Sequence, residues 1–200
     1  MKITKIRLFQ TDLPYVDPQG YAWGAGNVIH VAKATVVEVS TDAGITGVGE
    51  FTPCGENYMV AHSEGVLAAA RLMADKLIGE DPRQVRRMER LMDKIVDGHG
   101  YAKAPFDAAF WDIAGKAVGQ PVWMMMGGKL CDGAPMYRVA PQEDPSLLAA
   151  NLDRLRGWGY RQFQIKVGAD WVTDIERIRQ AVPHLKPGEK AMADANRGWR

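Results

Sequence analysis

From Pro135 onward the chain alternates strand and helix patterns. A short strand pattern covers Pro135 to Ala140, and a helix capped near Asp144-Pro145 ends at Gly157 to Gly159. A strand follows at Arg161 to Val167, then a helix from about Trp171 to Ala181 and a strand at Lys190 to Ala195. The strand starts lie 26 and 29 residues apart. That spacing accommodates a crossover helix, so the strands run parallel, in an open sheet or in a β/α barrel. Eight such units need about 250 residues, whereas 66 are available from Pro135. The expectation is therefore a small open sheet or the first strands of a barrel left incomplete.

The preceding stretch follows a different grammar. Ile3 to Gln10 alternates with a period of two, as does Val28 to Ser40, which sets Ile29, Val31, Thr35, Val37 and Val39 on one face. Asp42-Ala43-Gly44 supplies turn chemistry before a third strand, Ile45 to Phe51, so an antiparallel meander is expected. Between the first two strands, YVDPQGYAWGAGN carries Gly20, Gly24 and Gly26 and reads as a surface loop, either a flap or a plain connection. Ser63 is placed to cap a helix to about Leu77, and Asp81-Pro82 to start a second that runs to about Val96. A third helix spans about Ala104 to Val118 and is closed by Gly119. Strands first and helices after define an α+β domain. The two grammars divide the chain into residues 1–125 and 126–200.

Composition narrows the partners. Lys plus Arg number 25 against 24 acidic residues, so the basic excess that neutralises phosphates or holds an anionic membrane is lacking. No window has the continuous apolar length of a membrane span, and the N-terminal MKITKIRLFQTDLP lacks the apolar run of a signal peptide. Cys54 and Cys131 are the only cysteines, which disfavours a disulfide framework and suits the cytoplasm. His30, His62, His99 and His184 show no ligand spacing.

The parallel strands carry an anomaly. Covered on both faces, such strands normally read as continuous apolar residues. Here Phe163, Ile165 and Val167 share one face, while Gln164 and Lys166 share the other. In the last strand Met192, Asp194 and Asn196 fall together. Polar groups therefore gather at the C-terminal ends of two successive strands, where α/β enzymes keep their chemistry. A metal ion beside Asp194 and a substrate beside Lys166 would compensate these charges; so would an ordinary ion pair between the two.

Three stretches resemble the mandelate racemase and muconate lactonizing branch of the enolase superfamily. AKAPFDAAFWDIAGKAVGQPVWMMMGG, Ala102 to Gly128, resembles the family signature at Asp107, Ala109, Asp112, Gly115, Lys116, Pro121 and Gly127, with Pro105, Phe106 and Phe110 bulkier than usual. FQIKVG resembles the Lys-x-Lys strand, with Gln164 at the first lysine and Lys166 at the acid/base position. MADAN resembles the segment whose aspartate is the first of three carboxylate ligands to magnesium, here Asp194. The resemblance implies an α+β capping domain followed by the first part of a TIM-type barrel, truncated, with two more ligands and a second lysine beyond this chain. It also implies a homo-oligomer acting on a small carboxylate. EFTPCGENYMVAHSEGV, HGYAKAPFDAAFWD and MYRVAPQ resemble more closely the cis-3-hydroxy-L-proline dehydratases.

That resemblance implies a lyase that uses Mg2+ and Lys166 to remove the proton next to a carboxylate, giving an enediolate that expels the neighbouring hydroxyl. Without that hydroxyl, reprotonation gives epimerisation. An epimerase of proline or hydroxyproline betaine, or an acid-sugar dehydratase, is thus the alternative. Capping-domain loops at residues 15–27 and 52–58 are expected over the substrate, with Tyr58 and Trp23 against its ring and Gln164 and Asn196 as further contacts. Trp23 equally suits the join between two domains. A thiol enzyme built on Thr52-Pro53-Cys54-Gly55 is the rival chemistry, and an interaction module retaining the capping domain is the non-enzymatic one. The 200 residues alone are expected to be inactive.

Overall fold

The computed structural model describes residues 1–16, 21–23, 27–55 and 58–199, and the chain divides into two units. The first comprises Met1–Pro14 and Val31–Leu130, the second Tyr15–His30 and Cys131–Arg200.

In the first unit, β1 (Ile3–Pro14) pairs antiparallel with β4 (Val31–Thr41), which pairs antiparallel with β5 (Thr46–Phe51). Thr35, Val37 and Val39 are buried, as their alternation predicts, but Val31 is exposed. Ile29 leaves that face altogether. It belongs to β3 (Asn27–Ile29), which turns back to pair with β2 (Tyr21–Trp23) in a separate two-stranded ladder. The expected continuous strand from Val28 thus breaks at His30, and the stretch read as a loop contains a hairpin. Residues 17–20 and 24–26 of that stretch lie outside the described residues.

Helix α1 (Ser63–Ala74) is capped by His62 rather than Ser63: His62 Nδ1 accepts from Gly65 N at 3.1 Å. Ser63 Oγ instead donates to the Lys33 carbonyl at 3.0 Å and ties the helix start to β4. Helix α2 (Val85–Ile95) starts later than Asp81-Pro82 suggests. The Asp81 carboxylate accepts from Arg83, at 3.1 Å from its amide and 2.7 Å from its guanidinium, so it caps nothing further along. Helix α3 (Gly100–Val118) starts four residues before Ala104 and ends at Gly119, whose φ of +65° closes it in the left-handed conformation.

Helix α3 lies directly on the backbone of β5. A Cβ at Gly47 would stand 2.2 Å from the Ala109 carbonyl oxygen, and one at Gly49 would stand 1.9 Å from that of Pro105. Only glycine permits this approach. Asp112 clamps the contact, accepting from Val48 N at 3.0 Å and Lys116 Nζ at 2.7 Å, while Lys116 donates to the Thr46 carbonyl at 2.8 Å. Beneath, Phe106, Phe110 and Ile113 pack with Met73, Met88 and Met92. The bulky signature positions fill this core. A short helix, α4 (Val122–Met125), follows Pro121.

The second unit carries β6 (Arg138–Ala140), α5 (Leu148–Gly157), β7 (Gln162–Lys166), α6 (Trp171–Ala181) and β8 (Lys190–Asp194). Its strands are parallel, in the order β6-β7-β8. Leu148, Leu152 and Leu155 of α5 and Ala181 of α6 cover Ala140, Phe163 and Ile165. Arg156 adds a buried ion pair with Glu189, at 2.7 and 2.9 Å, and its guanidinium lies 5.5 Å from the Phe163 ring. Among the described residues no helix is long and apolar enough to cross a membrane.

Candidate active site

Parallel pairing sets Gln164 beside Met192 and Lys166 beside Asp194. Because side chains alternate, all four project from one face, and the last pair stands at the C-terminal end of the sheet. The opposite face is taken by Phe163 and Ile165 under the helices, so the polar residues have one direction left.

They converge. Lys166 Nζ donates to Asp194 Oδ2 at 2.7 Å and to Asn196 Oδ1 at 2.5 Å, and Gln164 Nε2 donates to the same Asp194 oxygen at 2.9 Å. Asp194 Oδ1 accepts from Asn196 N at 2.9 Å. Lys166 is 3% exposed and Gln164 9%, so an ammonium has been taken out of water and is held by two oxygens. Burial pushes the Asp194 carboxyl up, but the hydrogen bonds from Lys166 and from the Asn196 amide outweigh it and hold the group below the usual carboxylate range. Asn196 and Arg197 are both left-handed, at φ of +44° and +63°. Arginine pays a steric cost there, and such strain persists where the surroundings fix the backbone.

Asp194 therefore offers hard oxygen donors at the end of a strand, the donor chemistry of magnesium. Its Oδ1 takes one backbone N–H and keeps lone-pair capacity. Among the described residues no group of three or more His, Cys, Asp or Glu stands together as a metal site. The fit is that of one ligand in a larger set.

Of the remaining candidates, Tyr58 lies in the first unit, where its amide donates to the Gly55 carbonyl at 3.2 Å. Trp23 lies on β2, and its side chain is outside the described residues, as are Glu56 and Asn57 of the 52–58 loop. Cys54 and Cys131 are both exposed free thiols.

Residues 8–127 match the family described as Mandelate racemase / muconate lactonizing enzyme, N-terminal domain. This chain belongs to that family. The first unit is accordingly the α+β capping domain of the enolase superfamily. The chain is 42% identical over 199 residues to the cis-3-hydroxy-L-proline dehydratase of Roseibium aggregatum, covering 100% of this chain and 54% of that protein. Racemases and epimerases also stand among the family members it matches. A mandelate racemase/muconate lactonizing enzyme structure from Roseovarius nubinhibens ISM superposes with a TM-score of 0.94 at 72% identity, over 100% of this chain and 53% of that one. A second protein from that organism, solved in complex with magnesium, gives a TM-score of 0.89 at 38% identity over 98% and 54%. This family member thus spans about half the length of the curated relatives it matches.

The sequence pointed to Gln164, Lys166, Asp194 and Asn196, and the structure brings these four together. The pairing of Lys166 with Asp194 that spacing left open is present. Asp174 and Arg177 of α6, both buried, were not among the sequence candidates.

Proposed function

We propose that this family member is the N-terminal part of a magnesium-dependent dehydratase that converts cis-3-hydroxy-L-proline to a pyrroline carboxylate, with Lys166 as the base. Asp194 supplies one ligand to the metal, and Gln164 and Asn196 line the substrate side. The three parallel strands are read as the start of the barrel, beyond the capping domain. Tyr58 and Trp23 are proposed as contacts to the substrate ring, and a homo-oligomer as the assembly.

One observation carries the reading. A single buried lysine stands at the C-terminal strand ends with its Nζ on Asp194 and Asn196, and Gln164 stands where a second lysine would have been. Magnesium, when bound, neutralises the substrate carboxylate and the charge that develops on it. Lys166 first gives up its ammonium proton to solvent; as the free amine it takes the α-proton onto Nζ, and the C–H electron pair passes into the bond toward the carboxylate. The pair then expels the hydroxyl from the neighbouring carbon. In the cis isomer that hydroxyl shares a ring face with the carboxylate and leaves opposite the α-proton. Lys166 is therefore on the wrong face to protonate it, and water forms with a proton from another group. Asn196 Oδ1 and Asp194 Oδ2 accept from the resulting ammonium and keep Nζ in place.

The test is proton NMR in deuterated buffer with magnesium and cis-3-hydroxy-L-proline, on the chain extended to the length of its relatives. Loss of substrate to a cyclic imine, abolished by chelator and by Lys166→Ala, is expected. If neither the substrate nor its α-proton changes, the substrate assignment is wrong.

A further inference from the structure

Helix α6 carries two buried charged residues that the proposed chemistry does not use, Asp174 at 2% and Arg177 at 4% exposure. Asp174 Oδ2 accepts three hydrogen bonds: from Gly168 N at 2.7 Å, Ala169 N at 3.1 Å and Trp199 Nε1 at 3.1 Å. Gly168 and Ala169 follow Lys166 by two and three residues, and Trp199 follows Asn196 by three. One turn along, Arg177 Nη1 donates to the Glu143 carbonyl, in the segment after β6. One helix therefore grips the segments that leave all three parallel strands at their C-terminal ends.

The two segments nearest the site also lock to each other. A Cβ on Gly168, whose φ is +99°, would stand 2.3 Å from the Ala195 carbonyl oxygen, and one on Gly198 would stand 1.9 Å from that of Gly168. Val167 N donates across to the Asp194 carbonyl at 3.0 Å, and Gly198 N donates to that of Ala195 at 2.7 Å, closing a turn within the second segment. Main chain thus meets main chain between the segments, and Asp174 closes the assembly from the helix side. Asp174 Oδ1 and Arg177 Nε have no hydrogen-bond partner among the described residues and face each other as opposite charges 4.0 Å apart. A carboxylate held for three donors on two segments is a bracket.

We infer that Asp174 is a positioning residue for the reaction: through Gly168, Ala169 and Trp199 it fixes the segment bearing Lys166 against the segment bearing Asp194 and Asn196. The inference rests on the reading of Lys166 as base and Asp194 as ligand. An Asn at this position keeps one acceptor oxygen but turns an NH2 group toward Arg177 or toward the backbone amides. A Phe at Trp199 removes one donor and leaves the ring, and Trp199 is 58% exposed, so that variant disturbs the fold little.

The experiment compares wild type, Asp174→Asn and Trp199→Phe in the chain extended to the length of its relatives. The measurements are steady-state turnover of cis-3-hydroxy-L-proline, magnesium affinity by calorimetry, and melting temperature. Asp174→Asn is expected to lower kcat of the folded protein about 10- to 100-fold with KM within about twofold, since small misplacements of reacting groups cost that much. It is also expected to weaken magnesium binding about tenfold or more, as loss of an outer partner does. Trp199→Phe is expected to shift both in the same direction, several-fold, with an unchanged melting temperature. A purely structural role lowers only the melting temperature, and wild-type kcat and magnesium affinity in the folded variants overturn the inference. If wild type does not consume this substrate, the functional reading fails separately, and magnesium affinity alone decides the role of Asp174. If Asp174→Asn does not fold, Trp199→Phe decides it.

Discussion

Lys166 and Asp194 depend on each other. Removing the carboxylate charge by Asp194→Asn leaves an ammonium, 3% exposed, with only amide oxygens around it. The lysine is buried but the Asp194 side chain is 27% exposed, so the cost falls short of the about 3 kcal/mol of a fully buried pair; it is to be read as a lower midpoint in urea unfolding, together with weaker magnesium binding if Asp194 is the proposed ligand. A second buried pair sets the acid limit of this unit. Hydrogen bonding by Arg156 brings the Glu189 carboxyl from 4.5 down to about 2, against the opposing push of burial. Between those values the unfolded chain binds the proton that the folded chain refuses, so stability rises with pH. The contribution is full above about 4.5 and is lost as pH falls toward 2. Glu189→Gln is expected to lower stability at neutral pH and to flatten the acid limb of the unfolding midpoint. An unchanged limb would show that another group carries it. The polar cluster was legible in the sequence because Lys166 and Asp194 occupy strand positions that burial normally reserves for apolar residues. Asp174 was not, because its partners are backbone amides on two other segments, and no periodicity records a tertiary hydrogen bond.

For strands and helices, the comparison of two glycines separates two causes of the same defect. Gly49→Ala drives a Cβ to within 1.9 Å of the Pro105 carbonyl oxygen, so α3 must lift from β5. About 3 kcal/mol of stability is expected to be lost. Gly44→Ala meets nothing within 4 Å, and only its φ of +75° resists the change, at about 1 kcal/mol. Denaturant midpoints of the two variants check the ranking, and equal losses would refute the packing argument. Helix α6 runs over the residues the sequence pattern gives it, Trp171 to Ala181, and in the structure Asp170 caps it, accepting from Thr173 N at 2.9 Å. Helix α2 was misplaced because Asp81-Pro82 has the composition of a cap, while Arg83, two residues on, captures the carboxylate first. The β2–β3 hairpin was missed because its ladder is three residues long, too short for alternation to register against the surrounding glycines.

Taken whole, the chain joins two units of unequal self-sufficiency. Among the described residues, the first closes a core of seventeen buried residues under one sheet, whereas the second has seven under three parallel strands. Among the described residues, strands β6 and β8 each pair on one side only, and such edges stay open to exchange or to further pairing. In the isolated 200-residue polypeptide, amides of β4 and α3 are therefore expected to exchange more slowly than those of β7. Hydrogen exchange followed by mass spectrometry resolves this, and uniform protection across both units would contradict it. The division into strand-first and alternating halves was legible from grammar alone. The family resemblance was legible in part from the signature on α3, where Asp112 and Lys116 fasten the helix to β5 and Gly115 lets the Gln120 carbonyl come close.

That fastening has a consequence for engineering. At Gly47 and Gly49 β5 offers α3 only main chain, and Asp112 and Lys116 of the helix bond to β5 main chain at Val48 and Thr46, so the contact asks for no side chain from β5 at these positions. Randomised libraries placed after Phe51 are thus expected to leave the pedestal of β5 and α3 folded.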